Sequence, residues 1–173
     1  MPASDLDLLI DAARAAGEEA LRHTGPTARR WDKPGGLGPV TEADMAVDAL
    51  LSDRLRAARP GYGWLSEETE DNTDRLSQDR VFIVDPIDGT RSFVEGSSTW
   101  AHAIAVADQG VITAAVVYLP LRNKLYSASL GGGAYLNGAP IRATAQTDLG
   151  KSTVLAAKPA LHGGFWRGLL HSH

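Results

Sequence analysis

Val81-Phe82-Ile83-Val84-Asp85-Pro86-Ile87-Asp88-Gly89-Thr90 is an apolar run that empties into two carboxylates three residues apart. Its first four residues are short, β-prone and uninterrupted, as expected of a strand buried on both faces. Pro86 pushes Asp85 toward an extended backbone, and Gly89 permits a tight turn with its amide open to a ligand. Two acids and an exposed amide then share one corner. Hard divalent cations such as magnesium take oxygen ligands, commonly one or two carboxylates together with waters and phosphate oxygens. Taken alone, Asp-Pro-x-Asp reads more readily as a solvated turn, so the flanking sequence has to decide.

Upstream, Leu6, Leu9, Ile10, Ala13, Ala16 and Ala20 recur at helical spacing behind Ser4 or Asp5 and predict an amphipathic helix over residues 5–23, ended by Gly25-Pro26. Thr27 to Trp31 suits a short strand, and Lys33 to Pro39 is rich in breakers and reads as a loop. Thr41 can cap a second helix whose buried side is marked by Val47, Leu50, Leu51, Leu55 and Ala58, before Pro60-Gly61 stops it. Then the period changes. Tyr62 to Leu65 is a second short apolar strand, and it runs into Ser66-Glu67-Glu68 just as Val81 to Val84 runs into Asp85.

Downstream, Ala101–Ala107 and Val111–Leu119 flank Asp108-Gln109-Gly110, and Lys124–Ala128 and Ala134–Leu136 follow ahead of Asn137-Gly138, the strongest short turn signal in the chain. This is an antiparallel meander. Two helices followed by several strands predict an α+β fold, with both helices on one face of a mostly antiparallel sheet. Residues 1–150 are expected to form the first domain. Residues 151–173 are expected to begin a second, truncated one, with Ser152–Ala157 as its opening strand.

Composition narrows the chemistry. The 173 residues are 43% hydrophobic and 22% charged, which favours neither disorder nor a fibrous architecture. Seventeen basic against 21 acidic residues give a net charge of −4, which argues against binding a nucleic-acid polymer or a membrane surface. There is no cysteine, so a metal would be held by oxygen or imidazole and no thiol nucleophile exists. The amino terminus carries acids within its apolar periodicity, unlike a signal peptide, and a cytoplasmic location is expected. His102 falls in an expected strand, where a packed or hydrogen-bonded role is favoured over metal binding.

Gly38-Pro39-Val40-Thr41-Glu42-Ala43-Asp44, Trp64-Leu65-Ser66-Glu67-Glu68 and Val81 to Thr90 occur in the order and approximate spacing of the inositol monophosphatase family, which this chain resembles over nearly its whole length. Gly131 to Gly138 is similar to that family's glycine-rich hairpin. The resemblance implies the family's layered α/β sandwich and a magnesium-dependent phosphomonoesterase using two or three ions. It makes Glu67, Asp85, Asp88 and the Ile87 carbonyl metal ligands, and Asp44 and Thr90 the pair that orients and activates the attacking water. Gly89 and Thr90 match positions whose amides hold substrate phosphate, and Lys33 matches a lysine of the family's metal-site loop.

Tyr62 to Thr69 and Asp88 to Phe93 are worded most like the bacterial 3′(2′),5′-bisphosphate nucleotidase branch, with an inositol monophosphate and, third, a fructose bisphosphate as the other substrates that the resemblance implies. The family's later Trp-Asp-x-Ala string, whose aspartate completes the second metal site, has no counterpart in these 173 residues. A catalytically incomplete piece that binds metal or phosphate therefore stands as the alternative reading. The expected partner is a small phosphorylated substrate, with a homodimer as a further expectation.

Overall fold

The computed structural model describes residues 3–24, 29–32 and 39–153. Helix α1 spans Asp5–Arg22 and starts at Ser4, whose hydroxyl accepts the Asp7 amide at 3.2 Å. Helix α2 spans Glu42–Ala58 behind Thr41. These are the expected helices, and a side-chain oxygen satisfying a free first-turn amide starts each of them. Two three-residue strands, β1 (Arg30–Asp32) and β2 (Pro39–Thr41), pair antiparallel ahead of α2.

A seven-stranded sheet follows, ordered as in the sequence: β3 (Gly63–Ser66), β4 (Arg80–Asp88), β5 (Ala101–Asp108), β6 (Val111–Leu119), β7 (Lys124–Ser129), β8 (Gly133–Leu136) and β9 (Ala139–Ile141). Only β3 and β4 run parallel; the other neighbours form the expected meander. A five-residue helix, α3 (Thr90–Val94), separates β4 from β5.

Alternation along the strands divides the sheet into two faces. Phe82, Val84, Ile104, Val106, Ala114 and Val116 are buried on the face that carries the helices. Against them lie Leu9, Ala12, Ala13, Ala16 and Ala20 of α1 and Ala43, Val47, Leu51 and Leu55 of α2. The alanines allow close approach: a methyl group placed on Gly17 would come within 2.8 Å of the Tyr118 ring. Leu50 is half-buried, and Ala58, expected inside, is exposed in the last turn of α2.

Strand β2, at the end of an expected loop, is one of several elements that differ from expectation. The expected strand Val81–Val84 does not stop at Asp85: β4 continues to Asp88 through an irregularity, so that Asp85 pairs with Ala103 and Asp88 with Ala101. Pro86 has no N–H to give a ladder, and a bulge is where a strand tolerates that. Helix α3 and strand β9 were not anticipated. The chain divides into two compact units, Met1–Ile141 and Arg142–His173. The described part of the second holds one short turn, Leu149–Lys151, started by Asp148. The strand expected over Ser152–Ala157 lies, beyond Thr153, outside the described residues.

Candidate metal and phosphate site

Parallel pairing of β3 and β4 brings two acidic segments out at the same rim. The register runs from Gly63 opposite Val81 to Ser66 opposite Val84, and the Glu67 amide donates to the Val84 carbonyl at 3.1 Å. Glu67 thus leaves β3 beside Asp85 although 18 residues separate them in sequence. The bulge carries the chain from half-buried Asp85 through buried Ile87 to exposed Asp88. Gly89 then takes a left-handed φ of 87°, which starts α3 at Thr90. An L side chain there would be strained, and its Cβ would stand 3.3 Å from the Thr99 carbonyl oxygen.

Helix α2 supplies a fourth carboxylate. Asp44 closes a capping box: its Oδ2 accepts the Thr41 amide at 2.8 Å and the Thr41 hydroxyl at 2.6 Å. Thr90 Oγ1 lies 3.2 Å from Asp44 Oδ1 and 3.1 Å from the Ile87 carbonyl oxygen. A hydroxyl has one hydrogen, so it serves one of these two acceptors at a time and keeps lone pairs for another donor. Asp44 is fully buried, and that desolvation raises its pKa against the lowering effect of the Thr41 and Thr90 hydrogen bonds.

The electrostatics converge on Asp85. Burial first, then the negative charges of Glu67, Asp88 and Asp44, push its pKa up to about 7. Among the described residues no three acidic or histidine side chains are drawn together into a ready-made cation cage. The charges of Glu67, Asp88 and Asp44 all bear on Asp85, and a cation at that rim would relieve that repulsion. The donors on offer are all oxygen, from Glu67, Asp85, Asp88 and the Ile87 carbonyl. This set fits a hard divalent cation and is a poor match for a thiophilic one.

His102 is turned to another task. It is fully buried, its pKa is pushed down to about 4 by that burial, and its Nδ1 donates to the Pro86 carbonyl. Among the described residues its Nε2 has no hydrogen-bond partner. Lys33 lies outside the described residues. A groove of about 590 Å³ opens beside Thr41, Phe93 and Trp100, and neither Glu67, Asp85 nor Asp88 lines it.

One residue escaped the sequence reading. Asp48, one turn beyond Asp44 on α2, is buried and accepts the hydroxyls of Ser66 at 2.5 Å and Thr69 at 2.7 Å. The available signal was an acid on the apolar side of the helix, between Val47 and Leu51.

Known proteins are similar to this chain in sequence and fold. A profile described as the inositol monophosphatase family covers residues 2–163. An inositol-1-monophosphatase of Mesorhizobium japonicum is 35% identical over 165 residues, 92% of this chain and 62% of that protein. A histidinol-phosphatase of Chlorobaculum parvum is 33% identical over 87% of this chain and 58% of its own length. The crystal structure of the extragenic suppressor protein suhB from Bartonella henselae superposes with a TM-score of 0.74 at 34% identity, over 81% of this chain and 54% of that one. The chain spans less than two thirds of the length of these relatives. On its sequence match and its fold alike, the chain belongs to the inositol monophosphatase family.

Proposed function

We propose that the chain carries the metal-binding half of a magnesium-dependent phosphomonoesterase site and contributes to hydrolysis of a small phosphate monoester by activated water. The observation that carries this reading is the gathering of Glu67, Asp85, Asp88 and Asp44 around one rim, where burial first and then the three neighbouring charges raise Asp85 to about 7. Bringing like charges together on a partly buried rim is costly, and a site that needs them to hold a cation accounts for that cost.

Glu67, Asp85, Asp88 and the Ile87 carbonyl would hold the cation. Bound there, magnesium would neutralise the anionic ester, lower the pKa of a water and stabilise the leaving oxygen. The protein's own part lies with Asp44 and Thr90. When the Thr90 hydroxyl donates to Asp44, its lone pairs are free to accept from a water and fix its direction, and the Asp44 carboxylate draws the released proton toward α2. The Gly89 and Thr90 amides, at the start of α3, would bind phosphate oxygens. Two or three ions, a cytoplasmic setting and a role for Lys33 belong to the same proposal.

The relatives named inositol-1-monophosphatase and histidinol-phosphatase favour a small phosphorylated alcohol. A 3′(2′),5′-bisphosphate nucleotide is supported by the wording of residues 62–69 and 88–93. The alternative is a catalytically incomplete piece that binds metal or phosphate, since the chain spans less than two thirds of these relatives' length. Phosphate release with and without magnesium, measured on inositol monophosphate, histidinol phosphate and 3′-phosphoadenosine 5′-phosphate, tests all three. Magnesium-dependent release from one substrate class supports hydrolysis. Cation binding without release from any supports the incomplete piece. Release indifferent to magnesium contradicts both.

A further inference from the structure

We infer that Asp48 is a positioning residue for the cation site, acting through the two hydroxyls that bracket Glu67. This rests on the cation reading above, and it assigns work to a buried acid that the proposed chemistry does not use. Asp48 is only 7% exposed on a helix face otherwise given to Val47, Leu51 and Leu55. Burying a carboxylate there costs free energy unless both oxygens are satisfied, and a leucine would serve packing alone at least as well.

Both oxygens are in fact used, by the same short segment. Oδ1 accepts the Ser66 hydroxyl and Oδ2 the Thr69 hydroxyl, while Ser66 Oγ lies 3.4 Å from the Glu68 amide. Ser66 and Thr69 are three residues apart, with Glu67 and Glu68 between them. The clamp closes the chain where it leaves β3. On its other side the segment is fixed by the Glu67 amide on the Val84 carbonyl. Glu67 is therefore held from both flanks beside Asp85, on whose pKa its charge already acts. A ligand on an otherwise free loop end would lack the sub-ångström placement that a cation site needs. Groups that orient ligands from behind are those whose loss weakens metal affinity without touching the metal.

Two variants separate this role from a charge effect. Asp48→Asn removes a negative charge near the site as well as one acceptor, whereas Ser66→Ala/Thr69→Val removes the two donors and leaves every charge in place. Magnesium titration by calorimetry should show about 10–100-fold weaker binding in both. Hydrogen exchange should quicken at the Glu67 to Thr69 amides while those of Val81 to Val84 stay protected, and both variants should melt cooperatively. If Asp48→Asn fails to fold, the double variant decides alone. A parent that binds magnesium, with a double variant that binds it equally well, overturns the role given to Asp48 and leaves the cation reading standing. A parent that binds no magnesium overturns both.

Discussion

Thr90 Oγ1 lies 3.2 Å from Asp44 Oδ1, joining the start of α3 to the start of α2 across 46 residues of chain. The same hydroxyl is 3.1 Å from the Ile87 carbonyl, so Thr90 stands between the buried capping box and the β4 bulge. In the proposed chemistry that position orients a water and leaves the cation to other donors. Thr90→Ala is expected to lower turnover by about 100-fold or more, with the magnesium dependence of the remaining rate unchanged. Thr90→Ser, which keeps the hydroxyl, should recover most of the loss. Steady-state kinetics over a magnesium series checks this, and a Thr90→Ala variant limited by magnesium affinity would place Thr90 among the ligands instead.

Asp88 offers a cleaner separation of site from scaffold. It is exposed at the end of β4, so Asp88→Asn should leave stability within about 0.5 kcal/mol of the parent, the usual range for surface changes. The amide keeps the shape and removes the charge that a hard cation needs. Magnesium-dependent phosphate release should fall by more than about 100-fold, beyond the range set by losing an outer contact. Activity close to the parent's would reduce Asp88 to a turn residue.

What the sequence disclosed follows from how local each signal was. Ser4 and Thr41 cap their helices within three residues, and Asn137-Gly138 turns within two, with left-handed φ values of 50° and 81°. These could be read along the chain. The continuation of β4 through Pro86 depends on pairing with β5, and the local proline and aspartates suggested a turn instead. Asp48 was missed for a related reason: its partners Ser66 and Thr69 lie 18 and 21 residues away, on an element whose side of the sheet no local pattern specifies. Strand β9 is three exposed residues long, too short for any alternation to show. The candidate residues Glu67, Asp85 and Asp88 were singled out through motif resemblance, and the rim shared by Glu67 and Asp85 follows from the parallel pair β3 and β4.

Opposed titrations should shape the stability of the cation-free protein. His102 falls from an ordinary 6.5 to about 4 in the fold, so between those values the unfolded chain binds more protons. Its contribution, about 3 kcal/mol at most, is present above pH 6.5 and is lost as pH falls toward 4. Asp85 rises from 3.8 to about 7, so the folded protein binds more protons across that window, and stability from this group is lost as pH rises through 7. Melting temperature should therefore climb more steeply between pH 4 and 6.5 in Asp85→Asn than in the parent. Equal slopes would mean that burial and the neighbouring charges do not hold Asp85 above its ordinary value.

The sheet face away from the helices bears on association. Ile83 and Val117 are 37% and 38% exposed there, among Ala103, Ala105 and Ala115, which makes a continuous apolar strip across β4, β5 and β6. Such a strip favours self-association of the 173-residue chain. Size-exclusion chromatography should show a concentration-dependent shift toward larger species, and Val117→Lys should reduce it. A monomer at every concentration would show that the face is harmless as it stands.

Magnesium titration by calorimetry of the parent beside Asp85→Asn tests the central claim most directly, because Asp85 is the donor on which the charges of Glu67, Asp88 and Asp44 all act. The parent should give a saturable heat of binding that weakens as pH falls below about 7, since proton and cation compete for the same carboxylate. Asp85→Asn should give none at the same concentrations while remaining folded. Equal binding by both chains, or no binding by the parent at neutral pH, would contradict a cation site at this rim.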